Sequence, residues 1–122
     1  MTNAEVEVLI KDTFDRILHL HEVKAAEYSE DSDALSNFRR NGEDMGMPME
    51  VVWRVYAGKH WDALSQYIRD ISNGTRRVLS EPIESRIDDL IVYLCLFKAM
   101  LRERSYRTES SGASSEKISG SV

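Results

Sequence analysis

The sequence predicts an all-α fold, a compact antiparallel bundle of three long helices and one short helix followed by a disordered C-terminal tail. Three observations carry this. Apolar residues recur at spacings of three and four along most of residues 4–103. No stretch alternates apolar and polar residues as a half-buried strand does. The breaks between the periodic segments hold the residues that end and begin helices: Gly46 and Pro48, then Asn73-Gly74, then Pro82.

The first helix is expected over Ala4 to Tyr28, opened by a capping box of Thr2 and Glu5. Its apolar stripe is Val6, Leu9, Ile10, Phe14 and Ile17, and the same face continues through His21, Lys24 and Tyr28. An acidic turn follows, in which Ser32 or Asp33 caps a short helix over Ala34 to Met45 that stops at Gly46. Pro48 suits the first turn of a long third helix reaching about Ser72. Its stripe of Trp53, Ala57, Trp61, Leu64, Ile68 and Ile71 is widened by Val52, Tyr56, Ala63 and Tyr67, which implies burial on two sides. Both tryptophans, with Met45, Met47 and Met49, read as core. The last helix spans about Glu81 to Glu103, and "LIVYLCLF" at 90–97 is apolar almost all round, as befits the middle of a bundle. The Ser- and Gly-rich remainder has little to bury, which divides the chain into a helical domain (1–104) and a disordered tail (105–122).

The totals narrow the function. At 42% hydrophobic and 30% charged, the composition is that of a globular domain. A net charge of -5 argues against polymeric nucleic acid as a partner, since a phosphate backbone is met with surplus Lys and Arg. The charge is divided: residues 1–50 hold 12 acids and 5 bases, residues 51–122 hold 9 acids and 11 bases. The lone Cys95 offers neither a disulfide nor a cysteine zinc site and suits the cytoplasm, and no apolar run is long enough to span a bilayer. No nucleophilic triad, phosphate-cradling glycine loop or His-x-x-x-His pair is present.

Three constellations can carry chemistry. In "EPIESRIDDL" (81–90), Glu81, Glu84 and Asp88 fall within an arc of about 60° beside the apolar stripe, while Asp89 points about 100° further round. Stacked carboxylates of this kind can hold Mg²⁺ or Mn²⁺, or can simply complement a helix dipole. In "KHWD" (59–62), Lys59 can neutralise a phosphate and His60 can ligate a metal or carry protons; a core histidine is the plain alternative. The third group lies in "EYSEDSDALSNFRR" and just before it. Lys24, Glu27 and Tyr28 sit on or beside the inward stripe, and Asp33 adds a further carboxylate. Asn37 and Phe38 offer an amide for a base edge and a ring for its face, or equally a cap and a core plug. Arg39, Arg40, Arg76 and Arg77 read as solvated.

Together "EYSEDSDALSNFRR", "VVWRVYAGKHWDAL" and "SEPIESRIDDLIVYLCLFKAM" resemble the small, mostly phage-borne proteins of the nucleotide modification associated domain family, over about residues 22–103. More distantly the pattern is similar to MazG-like all-α nucleoside triphosphate pyrophosphohydrolases, which hold Mg²⁺ with a Glu-x-x-Glu and a Glu-x-x-Asp pair. Glu81, Glu84 and Asp88 echo those motifs, but Arg86 stands three before Asp89, where that pattern has a glutamate.

The expectation is therefore a nucleotide-handling protein, foremost a Mg²⁺-dependent pyrophosphohydrolase-like one. Glu84 and Asp88 would hold the ion, Glu27 and Asp33 complete its ligand set, His60 serve the chemistry, and Lys24, Lys59 and Arg86 meet phosphate oxygens. The alternatives are a non-catalytic binder of a nucleotide or signalling nucleotide, and a structural accessory. The width of the apolar stripes predicts a homodimer or larger.

Overall fold

The computed structural model describes residues 1–28 and 33–110, with the backbone alone for 28 and 106–110. Among the described residues there are four helices and no strand: α1 (Asn3–Tyr28), α2 (Ser36–Met45), α3 (Met49–Asn73) and α4 (Ile83–Ser110). Helix α3 packs along α4, α2 sits on α3, and α1 crosses the outer side of α4.

The local signals act as expected at most boundaries. Thr2 and Glu5 form the capping box in both directions, with Thr2 N–H donating to Glu5 Oε2 at 2.8 Å and Glu5 N–H to Thr2 Oγ1 at 3.1 Å. Gly46 and Gly74 end α2 and α3 with φ of 67° and 69°, a conformation that a Cβ would strain. The short helix begins two residues later than expected, with Leu35 in the capping position, while Asp33 Oδ1 accepts from Leu35 N–H at 3.0 Å. Ser32, the other expected cap, lies outside the described residues. Helix α4 starts at Ile83 rather than Glu81 and continues to Ser110, so the segment from 105 begins as helix; 111–122 lie outside the described residues.

The core is built where α2, α3 and α4 meet. Leu35, Phe38, Val52 and Met100 are buried, with Met49, Trp53, Tyr56, Tyr93, Leu96 and Phe97 packed around them. Phe38 meets Tyr56 and Tyr93 at ring separations of 5.9 and 6.2 Å, and Trp53 lies 4.6 Å from Phe97. The Trp53 indole N–H donates to the Tyr93 carbonyl at 2.6 Å, which satisfies the indole inside an apolar interface. Gly42 permits the α2–α3 corner: a Cβ there would lie 2.6 Å from the Met47 carbonyl oxygen.

Several residues expected in the core are outside it. Trp61 is 59% exposed, and Met45, Met47, Ile68 and Ile71 are exposed as well, because no described element covers them. On α1 the stripe is buried only at its crossing with α4, at Ile17; Val6, Leu9, Ile10 and Phe14 face outward. The periodicity is correct, but the period alone does not say which part of a stripe meets a partner.

Candidate functional site

The residues singled out by chemistry converge on the corner where α1, α3 and α4 meet, and Asp89 is its hub. Lys24 from α1 donates to Asp89 Oδ1 at 3.1 Å. His60 from α3 places Nδ1 3.7 Å from Asp89 Oδ2. Arg86, one turn before Asp89 on α4, brings its guanidinium 3.4 Å from the same His60 Nδ1, and its Nε lies 3.4 Å from Glu81 Oε1.

His60 is buried, 6% exposed, with its ring 5.3 Å from that of Tyr93. Burial pushes its pKa below the ordinary histidine value; Asp89 opposes the shift, while Arg86, Lys59 and Lys24 reinforce it. The same Nδ1 thus faces a guanidinium that can only donate and a carboxylate that can only accept. The corner sets one imidazole among Lys24, Lys59 and Arg86, with Asp89 opposing them.

Beside it a cavity of about 90 Å³ is lined by Lys24, Asn37, Phe38, Asp89 and Tyr93, among others. Phe38 closes this cavity from the core side: it is buried against two tyrosines, so its ring is first of all a core residue. The Asn37 amide oxygen accepts from Asn41 Nδ2 at 3.1 Å, which orients the amide at the cavity wall. Lys59 is exposed and lies 5.9 Å from the centre of the Tyr56 ring, within reach of a cation–π attraction.

The carboxylates expected to share a metal ion are dispersed. Asp33 is held by Arg39 through two bonds of 2.7 and 3.1 Å, and that guanidinium also donates to Glu103 at 2.7 Å. Asp88 accepts from Arg16 Nε at 2.9 Å. Glu84 and Glu27 are exposed, and Glu81 precedes α4, so the stack expected on one helical face begins before the helix does. Among the described residues no group of three or more His, Cys, Asp or Glu side chains is placed to hold a metal ion. The donor set therefore does not fit Mg²⁺ as arranged here. The Tyr28 side chain lies outside the described residues.

Asp89 is the residue that sequence reasoning passed over. Its signal is available in retrospect: it stands three and four residues before Val92 and Tyr93, in line with the buried edge of α4, where a carboxylate needs partners. Two of the arginines expected to be solvated also have defined partners. Arg39 bridges α2 to α4 as above, and Arg77 donates to Asp70 at 2.8 and 3.1 Å, folding the loop back on the end of α3. No described helix is long and apolar enough to cross a membrane. Comparisons with protein-family models, with curated proteins and with solved structures return no match.

Proposed function

We propose that the protein binds a nucleotide, or another small molecule bearing phosphate, at the corner formed by α1, α3 and α4. One observation carries this reading: Lys24 of α1 and Arg86 of α4 reach the same His60–Asp89 pair, Lys24 at 3.1 Å from Asp89 and Arg86 at 3.4 Å from His60, and Lys59 precedes His60 on α3. Cations gathered from separate elements favour an incoming anion, and a phosphate can compete with Asp89 for Lys24 and Arg86. The adjoining cavity with its asparagine wall and aromatic floor suits a planar ring attached to that phosphate. The reading is capture rather than cleavage, because the carboxylates of the described residues do not converge on a metal position.

The test is a melting-shift and calorimetric titration with ribo- and deoxynucleoside mono-, di- and triphosphates, with inorganic phosphate and pyrophosphate as controls, each with and without Mg²⁺. Stabilisation should appear without Mg²⁺, and Lys24→Ala and Arg86→Ala should each weaken binding about tenfold or more, the scale of one charge-assisted hydrogen bond. A panel that gives no shift at millimolar ligand would sink the reading. A second reading keeps Glu84 and Asp88, one turn apart on α4, as the start of a hydrolytic site. It predicts Mg²⁺-dependent pyrophosphate release that Asp88→Asn abolishes.

A further inference from the structure

Among the described residues nothing covers the first three turns of α1. Residues 3–12 are exposed throughout, yet they carry the apolar stripe of Val6, Leu9 and Ile10, continued by Phe14, which is 57% exposed. At 1.5 Å per residue this arm is about 15 Å long. A helix with an ordered apolar stripe and nothing on it leaves a hydrophobic face in water.

A groove of matching length lies on the outer side of α3 and α4. It has a volume of about 590 Å³ and is lined by Arg54, Val55, Gly58, Lys59, Trp61 and Leu94, among others. Its lining on α3 runs from Trp53 to Asp62, about 14 Å of helix. Val55, Trp61 and Leu94 are exposed. Gly58 sits in its wall in mid-helix, where glycine costs about 1 kcal/mol against alanine. A Cβ there would meet nothing within 4 Å among the described residues, so Gly58 leaves room for a second helix to lie close across α3.

The chain cannot place its own arm there. Helix α1 packs against Val92, Cys95 and Leu96 of α4, whereas the groove is formed by Leu90 and Leu94. At 100° per residue these two sets face opposite sides of α4. The charges match between copies. The arm and its base carry Glu5, Glu7, Asp12 and Asp15 against a single Lys11, and the groove carries Arg54 and Lys59 against a single Asp62.

We infer that the protein is a dimer of two copies that exchange arms, the α1 stripe of each seated in the α3–α4 groove of the other. The dimer requires no ligand at the His60 corner, although Lys59 borders both; the test variants at Leu9 and Val55 leave Lys24, Lys59, His60 and Arg86 in place.

Light scattering and sedimentation of the full chain should return twice the chain mass of 14.0 kDa at micromolar concentration. Leu9→Glu, in the arm, and Val55→Glu, in the groove, should each give a monomer with an unchanged helical circular dichroism spectrum, since both side chains are exposed within one copy. Trp61 emission should shift to longer wavelength in both variants. The decisive experiment mixes the two. Arm exchange restores a dimer, because the intact arm of the Val55→Glu chain fits the intact groove of the Leu9→Glu chain. A mass near that of one chain for the parent up to hundreds of micromolar overturns the inference. So does a Val55→Glu chain that remains a dimer, which would point to arms that pair with each other, and so does a mixture that stays monomeric.

Discussion

Helices α1 and α3 carry apolar stripes of the same period, and they fare differently. In the first half of α3, Val52 and Ala57 are buried and Trp53 packs into the core, because α2 and α4 close over them from two directions. On α1 a stripe of equal regularity is buried at Ile17 and open along the three turns before it, because α1 packs mainly on α4 and does so beyond those turns. Helical periodicity reports that a face wants a partner. Whether the partner belongs to the same chain depends on how many elements reach that face.

The sharpest way to break this contrast is at its most buried point. Met100 is fully enclosed, 0% exposed, and Met100→Ala should cost about 2–5 kcal/mol, measured by urea denaturation. Gly42→Ala should follow at about 1–3 kcal/mol, since its new Cβ would press on backbone atoms of Met47 and Met49, which cannot rotate away as a side chain would.

Two pH effects come next. His60 has a folded-state pKa below its ordinary 6.5, so the unfolded chain binds the extra proton more readily. Stability should be full above that value and fall as pH drops through it, and the slope of Tm against pH in that range should flatten in His60→Gln. At the far end of α3, Arg77 and Gln66 hold the Asp70 carboxyl down to about 2 from 3.8. Its contribution is present above 3.8 and is lost as pH falls toward 2, so Asp70→Asn should lessen the acid sensitivity of melting in that window. The smallest effect belongs to the arm. Leu9→Ala should change the stability of dilute, monomeric protein by no more than about 0.5 kcal/mol, as exposed positions do. A loss of several kcal/mol under those conditions would mean that α1 is buried within its own chain and would erase the contrast.

The fold was largely legible because its punctuation is local. Thr2 with Glu5, Gly46 and Gly74 each act through the backbone within a few residues, and such effects survive whatever packs above them. The candidate site was legible in part. Lys24, Lys59, His60 and Arg86 were each picked out for their chemistry, and they meet at one corner. Asp89, which joins them, was set aside for pointing away from the stack of Glu84 and Asp88. The acids at 33 and 88 read as possible metal ligands, yet each is held by an arginine, Asp33 by Arg39 six residues on and Asp88 by Arg16 from another helix. A carboxylate carries no local mark that separates an ion to be bound from a guanidinium already present. Trp61 failed for another reason: a large aromatic residue in a regular stripe looks the same over a core as over an open groove.

The hydrogen bond from the Trp53 indole to the Tyr93 carbonyl does more than satisfy a buried donor. Two smooth apolar helices can slide along each other at little cost, since one leucine replaces another. A directed bond from one indole to one peptide oxygen removes that degeneracy and works as an index mark between α3 and α4. A slip of a single residue would carry Asp89 about 1.5 Å along the axis and about 100° around it, out of reach of His60. The alignment of the charged corner is thus set one to two turns away, by a contact that carries no charge of its own.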